Sequence, residues 1–397
     1  MHKAILLNNM LLSKDWQKNC GSFKNFYMRT ISTLAIAFFI LMQSCKTKNN
    51  DVVMLPDDWP TDSIRTIKNN LNFPWEILWG KDDFIWMTER GGKISKINPK
   101  TKEVVFSINL PDAVSNGEGG LLGMVQHPDF LTNGFFYAVY NYNNGGNYLE
   151  KLVQFKFVNN NIQTVATIID NIPASSIHNG SRLWITTEAA PKLFMTTGDA
   201  SVANNALRTS SLSGKILRFN LDGSIPADNP ISDSPIWSLG HRNPQGLVVA
   251  NGIMYASEHG PNVEDEVNII EKNRNYGWPT VTGPCNDPAE ITFCTANNVK
   301  EPIWSSGNVT FAYCGMDYYN NDRIAAWKNC LLLTSLKDAN LRVLKLSADG
   351  LSVVSEVQLF KNKFGRIRDI CISPAGRVYL CTGNGGNADV LVEISKP

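Results

Sequence analysis

The sequence is short of several features that would assign a function at once. It has only five histidines, and its 37 basic side chains nearly balance its 36 acidic ones, for a formal net charge of +1. This balance gives no reason to expect a nucleic-acid or polyanionic partner. The eight cysteines have no zinc-site spacing. From about residue 62 onward helical periodicity is scarce, so an all-β domain is expected.

Long hydrophobic runs are missing as well. The apolar stretch Ile31 to Met42 has about a dozen residues, too few to span a bilayer comfortably. Arg29 precedes it and Ser44-Cys45 follows it, a pattern that resembles a bacterial lipoprotein signal. We therefore predict a signal region over residues 1–45 with cleavage before Cys45, and a polar linker over residues 46–61. The protein would be exported and lipid-anchored to the cell envelope, on the periplasmic or outer-membrane face. A plain secretory signal with an incidental cysteine is the alternative.

The rest of the chain alternates between short β-rich runs and turns of glycine, asparagine, aspartate and proline. An apolar strand, a polar turn and an alternating strand recur six times, at a spacing of roughly 55 residues. The units are Phe84–Glu89 with Lys93–Asn98, Phe135–Tyr140 with Leu149–Phe157, Leu193–Thr197 with Lys215–Asn220, Ile253–Glu258 with Glu266–Ile270, Cys330–Ser335 with Leu341–Leu346, and Val378–Thr382 with Val390–Ile394. A six-bladed β-propeller over residues 62–397 is predicted, because radial repetition protects sheet edges. A pair of β-sandwiches is the alternative, but it would not need six similar units.

Export would permit disulfides. Cys285 and Cys294 flank a loop rich in proline, asparagine and aspartate, which a disulfide could staple. Cys371 and Cys381 lie on two strands of an apparent hairpin and could face each other. The connectivity stays open at this point.

Two polar loops carry candidate functional side chains. The segment Ser238–Leu247 places Arg242, Asn243 and Gln245 between glycines and a proline, so it cannot be a helix. An arginine fork beside two carboxamides suits a planar, oxygen-rich, anionic ligand. His178 lies in another polar loop, where a histidine can act as a general base. The alternatives are a turn that satisfies its own backbone and a solvated histidine.

Oxygen-rich and cationic segments follow. Carboxylates and carbonyls around Glu258–Pro261 and Asp265-Glu266 are the hard ligands that Ca²⁺ prefers, although the spacing is not that of an EF-hand. Arg366 and Arg368 are two residues apart, and side chains at that spacing on a strand point the same way. Together with Lys337 they could bind a ligand with several carboxylates. Charged turns and a solvated strand face are the alternatives.

Taken in order, these segments resemble the soluble pyrroloquinoline quinone (PQQ) dependent aldose sugar dehydrogenases, the glucose/sorbosone dehydrogenase family. The resemblance runs from about Pro74 to the C-terminus, and the family fold is the six-bladed propeller. The matching segments are Gly119–Gly123 with His127–Phe130, His178 with Arg182-Leu183, Gly240–Gly246, Glu258–Pro261, Asp265-Glu266 through Asn275–Pro279, Leu336-Lys337 and Arg366–Asp369.

The resemblance implies an enzyme that oxidises the anomeric hydroxyl of an aldose to a lactone, with PQQ and Ca²⁺ as cofactors. It implies that His178 is the base that takes the hydroxyl proton as hydride passes to the quinone. It implies a PQQ-binding set that comprises Glu118, Arg242, Asn243, Lys337, Arg366 and Arg368. It implies calcium ligands at Gly260, Pro261, Glu266 and the Tyr276 backbone.

The match is weaker around the substrate. Ile177 stands where some members have a polar residue, and Tyr313-Cys314-Gly315 replaces the usual Pro-Ser-Gly, so the identity of the sugar stays open. The expected partners are a small sugar and an external electron acceptor, without nucleic acid, and with membrane contact through the lipid anchor only. A non-catalytic exported propeller that binds a carbohydrate or protein ligand is one alternative. A metal-dependent lactonase is another, which would need carboxylate and asparagine ligands converging on the axis.

Overall fold

The computed structural model describes residues 59–396, which form six four-stranded antiparallel sheets. The first strand of each sheet neighbours the first strands of the two adjacent sheets, so these six strands close a ring around an axial channel. In chain-order numbering they are β2 (Pro74–Trp79), β6 (Leu121–Gln126), β10 (Gly180–Ile185), β14 (Pro244–Ala250), β18 (Tyr313–Tyr319) and β22 (Ile367–Ile372). The prediction of a six-bladed β-propeller is confirmed.

The second and third strands of each blade are the six recurring units of the sequence. The second strands are β3 (Ile85–Glu89), β7 (Phe135–Asn144), β11 (Lys192–Thr197), β15 (Ile253–Glu258), β19 (Cys330–Ser335) and β23 (Val378–Thr382). The third strands are β4 (Lys93–Ile97), β8 (Asn147–Val158), β12 (Lys215–Asn220), β16 (Glu266–Ile269), β20 (Leu341–Leu346) and β24 (Asp389–Ile394).

The fourth strands form the outer edges of the blades, and helices are few within the described residues. The fourth strands are β5 (Val104–Asn109), β9 (Asn161–Pro173), β13 (Ile236–Leu239), β17 (Trp304–Ser305), β21 (Val353–Leu359) and, in the last blade, β1 (Ile64–Leu71). The helices are α1 (Phe130–Asn133) and α2 (Pro288–Ala296), with 3₁₀ turns at Ala203–Leu207 and Ala325–Trp327. Within residues 59–396 no helix has the length and apolarity needed to cross a bilayer.

The first and last parts of the propeller share one blade. β1 pairs antiparallel with β24, with Ile64 opposite Ile394. Arg65 forms an ion pair with Glu393, and Glu393 is also bound by Arg377 at 2.7 Å. The ring is therefore closed by hydrogen bonds and buried charges between strands that lie far apart in the sequence.

The hydrophobic core is divided among the six interfaces between neighbouring blades. The interface of the first and second blades is rich in aromatic rings, with Trp86 in edge contact with Phe130 and Phe157. The interface of the third and fourth blades has the smallest apolar cluster and a cavity of about 350 Å³ lined by Trp184, Phe194 and other side chains. Packing is therefore tighter on one side of the ring than on the other.

One of the two cysteine expectations holds. Cys285 and Cys294 form a disulfide across the start of α2, with their Cα atoms 6.6 Å apart. The expectation that Cys371 and Cys381 face each other is wrong, and both are buried free thiols. Cys371 lies opposite Tyr379 and Cys381 opposite Asp369, so the register of β22 and β23 keeps the two sulfurs apart. The predicted signal region, Cys45 and most of the linker lie outside the described residues.

Candidate active site at the upper end of the channel

Two kinds of connection meet at one end of the channel, which we call the upper end. They are the connections from the fourth strand of one blade to the first strand of the next, and those from the second strand to the third strand within a blade. The first kind carries Glu118, His178, Arg242, Asn243 and Arg366, and the second kind carries Gly260, Pro261 and Lys337. Arg368 lies in β22 beside this end, and Glu266 begins β16. The fold thus gathers residues that are far apart in the sequence.

His178 is held by a carboxylate that the sequence did not reveal. Its Nδ1 lies 2.9 Å from Oδ1 of Asp199, and the Asp199 side chain is only 2% exposed. The other oxygen of Asp199 accepts a hydrogen bond from Nε1 of Trp278 at 2.9 Å. A carboxylate beside Nδ1 favours the tautomer that has its proton on Nδ1, which leaves Nε2 free to accept a proton.

The His178 loop is braced by the loops of both neighbouring blades. Glu118 donates its backbone N–H to the carbonyl of Ser176 at 2.7 Å, and a Cβ on Gly117 would collide with that carbonyl. On the other side, Asn243 Oδ1 accepts a hydrogen bond from the backbone N–H of Gly180 at 3.1 Å. His178 itself has a positive φ of 61°, an uncommon conformation that such bracing can maintain.

Glu258 organises the loop that carries Arg242 and Asn243. One of its oxygens accepts the backbone N–H groups of both residues, the one from Asn243 at 3.0 Å, and the other lies 3.1 Å from Nδ1 of His241. Nη1 of Arg242 donates to the carbonyl of His259 at 3.2 Å, whereas its buried Nε has no hydrogen-bond partner in the described part of the chain. This guanidinium is therefore fixed in place with a donor left over for a ligand.

A group of cations lies at the upper end of the channel: Arg90, Lys337, Arg366 and Arg368. Burial, followed by the nearby charge of Arg368, lowers the pKa of Arg90 to about 10, and Arg366 acts in the same direction. Arg368 is buried and donates to Oε1 of Gln245 at 2.8 Å. Lys337 and Arg366 are exposed. Arg366 precedes β22, and the pairing of β22 with β23 is irregular beside Arg368, so the common orientation of the two side chains stays a prediction.

His259 lies among these cations without sharing their charge. Burial, followed by the charges of Arg368 and Arg242, lowers the pKa of its imidazole to about 3. The ring is therefore neutral near pH 7. Its buried Nε2 has no hydrogen-bond partner among the residues that the structure describes. Together with Arg242 Nε, it gives the site a second polar atom that a ligand could satisfy.

A layer of buried charge closes the site from below. Arg182 contacts Glu76 at 2.6 Å and Asp369 at 3.0 Å, and its Nε donates to the carbonyl of Gln245 at 2.7 Å. Burial opposes the charge of Arg182, but the carboxylates of Asp369 and Glu76 outweigh burial and raise its pKa. Because Gln245 also binds Arg368, this layer connects to the cations above it.

The four predicted calcium ligands border one small cavity of about 10 Å³, the room of a single water or ion. They are Gly260, Pro261, Glu266 and Tyr276, and Glu258 and Glu264 border the same cavity. Burial, and then the charges of Glu258 and Glu264, raise the pKa of Glu266 to about 8, and Oε2 of Glu264 is buried without a hydrogen-bond partner among the described residues. In residues 59–396 no three His, Cys, Asp or Glu side chains are arranged to hold a metal, so carbonyl oxygens would have to contribute.

Four residues of this end were given no role by the sequence: Arg90, Asp199, His259 and Trp278. His259 and Trp278 lie within segments that matched the family pattern, and that match is the sequence signal that could have found them. Trp278 belongs to the long connection between β16 and β17, which returns to the upper end through Trp278 N–H to Gly240 C=O at 3.0 Å. Asp199 directly follows β11, in a loop that no local pattern distinguishes.

The fold and this loop constellation define a six-bladed propeller with a cationic site beside a histidine–carboxylate pair. Residues 71–392 match the glucose/sorbosone dehydrogenase family, so the chain belongs to that family and is an oxidoreductase. The chain is 32% identical to quinoprotein glucose dehydrogenase B of Acinetobacter calcoaceticus, over 81% of this chain and 86% of that protein. It is 28% identical to an aldose sugar dehydrogenase of Escherichia coli (strain K12), over 81% of this chain and 90% of that protein.

Solved structures agree with this membership. The PQQ-bound aldose sugar dehydrogenase of Streptomyces coelicolor superposes with a TM-score of 0.72 at 25% identity, covering 85% of this chain and 99% of that chain. The apo form of the Escherichia coli aldose sugar dehydrogenase superposes with a TM-score of 0.75 at 28% identity, covering 84% and 99%.

Proposed function

We propose that this protein oxidises an aldose at its anomeric carbon with bound PQQ, and that His178 is the general base. The observation that carries the proposal is the meeting of the His178–Asp199 pair with the cations Arg242 and Arg368 at the upper end. Relatives that carry the names quinoprotein glucose dehydrogenase and PQQ-bound aldose sugar dehydrogenase support the choice of cofactor.

The residues present fit PQQ, a planar quinone with several carboxylates. Arg242, Lys337, Arg366 and Arg368 would hold its oxygens by charge-assisted hydrogen bonds, with Asn243 and Glu118 beside them. The unpartnered Nε of Arg242 is the kind of buried donor that a bound ligand satisfies. When bound, PQQ supplies a quinone that accepts a hydride from the sugar.

The protein's own part in the reaction is proton transfer and orientation. With Nδ1 engaged by Asp199, the His178 ring presents Nε2 to the anomeric hydroxyl and takes its proton. The imidazolium that results is stabilised by the same carboxylate, which Trp278 keeps in place. The sugar loses a proton and a hydride and becomes the lactone.

The proposal includes a calcium site at the cavity bordered by Gly260, Pro261, Glu266 and Tyr276. Ca²⁺ takes six to eight oxygen ligands, roughly, and accepts carbonyls as readily as carboxylates. The unpartnered Glu264 oxygen and the buried Glu266 carboxyl, whose pKa burial raises, are groups that a bound cation would stabilise. A chelator should therefore weaken PQQ binding, and added Ca²⁺ should restore it better than Mg²⁺.

The finer expectations on localisation remain proposals. An exported, lipid-anchored enzyme would pass electrons to an external acceptor at the cell envelope. Cys45→Ala should release the protein from the membrane fraction or block its processing, which cell fractionation would reveal. Unchanged membrane association in that variant would remove the lipid anchor from the proposal.

The deciding experiment reconstitutes the purified protein with PQQ and Ca²⁺ without oxygen and then adds D-glucose and a panel of other aldoses. Cofactor absorbance should shift to that of reduced PQQ with at least one sugar, and dye reduction should follow when an acceptor is added. If PQQ binds but no aldose reduces it, the assignment of the substrate class fails. If PQQ does not bind at all, the assignment of the cofactor fails.

A further inference from the structure

A second cavity lies at the opposite, lower end of the channel, and we call it the lower cavity. Its volume is about 480 Å³, and residues from all six first strands line it. This volume falls in the usual range for small-molecule sites and far exceeds the room of one water. Arg182, Glu76 and Asp369 border it at the buried layer described above, so it is separate from the upper site.

The walls of the lower cavity are mainly apolar, with two indole rings. Leu78, Met124 and Ile370 line it together with Trp79 and Trp184. At its rim are Lys81 and Thr187, both exposed, so a solute can reach it from solvent. Indole rings beside aliphatic side chains suit the C–H face of a ring-shaped ligand.

The same cavity has polar groups that the protein leaves unsatisfied. Gln126 is only 6% exposed, and its Nε2 has no hydrogen-bond partner in the described chain, although its Oε1 accepts from Lys81 N–H at 2.7 Å. Nε1 of Trp184, which also lines the cavity between the third and fourth blades, is likewise buried and unpartnered. A buried donor without an acceptor costs about 1–3 kcal/mol, so both side chains offer a donor to a ligand with acceptors.

A carboxyl group on another wall of the lower cavity could bind a hydroxyl group of a ligand. Asp317 lines the cavity, and its carboxyl accepts hydrogen bonds from the backbone N–H groups of Tyr318, at 2.7 Å, and of Ile372. Burial raises the pKa of Asp317 to about 7, so this carboxyl offers both donor and acceptor character near neutral pH. Arg182 forms ion pairs with both Glu76 and Asp369, and burial raises the pKa of both carboxyls, so the three residues together present no strong net charge to an ionic ligand.

We propose that the lower cavity binds a neutral cyclic polyol of monosaccharide size. Its hydroxyl oxygens would accept hydrogen bonds from Gln126 Nε2 and Trp184 Nε1, and a hydroxyl would donate to Asp317. Its ring would pack against the indole of Trp79 or Trp184. This site lies at the other end of the channel from His178 and needs neither PQQ nor turnover.

The test uses myo-inositol as the probe, because it is a cyclic polyol without an anomeric carbon and cannot undergo the proposed oxidation. Binding to the PQQ-loaded protein is measured by ligand-observed NMR and calorimetry. Saturable binding with a dissociation constant below ~10 mM is expected. This limit is about tenfold above the upper end of ordinary enzyme KM values. Thr187→Trp, a change at the exposed rim, should abolish it. Absence of saturable binding in the wild type overturns the proposal.

Two subtler variants assign the site. Trp184→Phe keeps the ring and removes the donor, and Asp317→Asn keeps the shape, so each should weaken binding about three- to tenfold. Trp304→Phe is the matched control, because Trp304 Nε1 already donates to Glu356 at 2.8 Å, and it should leave binding unchanged. Wild-type affinity in both test variants overturns the proposal.

Two further controls locate the binding. His178→Ala should leave the affinity for myo-inositol unchanged. If this variant loses binding of myo-inositol, the probe occupies the upper site instead. Met254→Trp would fill the separate cavity between the third and fourth blades, where Met254 and Trp184 are both lining residues. If Met254→Trp abolishes binding while Asp317→Asn does not, the probe occupies that cavity and the proposal is wrong.

Discussion

The two ends of the channel differ in both construction and charge. The upper end is built mainly from loops and collects Arg90, Arg242 and Arg366 beside Arg368 of β22, whereas the lower cavity is built mainly from strand residues and has acids such as Asp317 beside Arg182. The six first strands run from the upper end of the channel to the lower end, so the same strands support two different sets of side chains. The comparison teaches that strands set the distance from the axis, while loops decide which charges meet there.

The largest effect is expected from removing the histidine of the upper end. His178→Ala should lower turnover of the PQQ-loaded enzyme about 10²–10⁴-fold and spare PQQ affinity, because a general base contributes in that range. Stopped-flow reduction of bound PQQ by an aldose measures the step directly. His127→Ala is the matched control, because His127 lies in the connection that follows β6, at the lower end. Wild-type reduction rates in His178→Ala would exclude His178 as the base.

The next effect concerns the cations that distinguish the two ends. Lys337→Ala, Arg366→Ala and Arg368→Ala should each weaken PQQ binding roughly tenfold or more, since charge-assisted hydrogen bonds contribute about 1.5–3 kcal/mol. Titration of the cofactor by fluorescence quenching gives the three dissociation constants. Lys81→Ala, a cation at the lower rim, should change none of them. Equal PQQ affinity in the three upper variants would reduce them to surface charges.

A smaller effect is expected from the residue that supports the base. Trp278→Phe removes the hydrogen bond to Asp199 but keeps a ring, so kcat should fall roughly tenfold while KM for the sugar and PQQ affinity change little. Steady-state kinetics separate kcat from KM. Trp79→Phe removes a comparable indole bond, to Asp83 at 3.2 Å, at the lower end and should leave kcat unchanged. A change in KM alone would show that Trp278 shapes the pocket and does not position the base.

The smallest effect concerns an acid of the upper end that forms no ion pair with any residue of the described range 59–396. Burial raises the pKa of Glu150 to about 8, and its Oε2 accepts a hydrogen bond from Ser181 at 2.6 Å. Between the ordinary carboxyl pKa and about 8, the unfolded chain releases this proton and the folded protein retains it, so stability falls as pH rises through that window.

Glu150→Gln removes this cost and should raise the free energy of unfolding by at least ~1 kcal/mol at pH ~8, since each pKa unit corresponds to about 1.4 kcal/mol, with little change at pH ~4. Denaturant unfolding at the two pH values measures the difference. Glu103→Gln, at an exposed glutamate, is the control. An equal effect of Glu150→Gln at both pH values would mean that ionisation of Glu150 is not the cause.

The sequence predicted the middle of each blade better than its inner edge. Second and third strands alternate or are bounded by clear turns, and all six pairs were located. First strands such as β6 and β14 are buried on both faces, so they lack the two-residue alternation that marks a half-exposed strand. The fourth strand β17 has two residues, too few for any pattern.

The site was predictable where its residues lie in compact segments and not where packing alone brings them together. The family pattern led to His178, Arg242 and Arg368, which the fold places at one end. Asp199 was missed because it directly follows β11, and the pairing of Gly180 with Thr197 brings it opposite His178, just before β10. Spacing along the chain does not contain that information, since it depends on the register of the two paired strands.

The pairing of β1 with β24 has a consequence for the timing of folding. The Arg65–Glu393 ion pair joins residues 328 positions apart, and closing a loop of that length costs ~5 kcal/mol of chain entropy. The last blade cannot acquire its outer strand until nearly the whole polypeptide has been synthesised. Until then β1 and the edge that it later covers are both unpaired, and such edges promote aggregation. A chaperone that covers β1 during synthesis would therefore act when the risk of aggregation is highest.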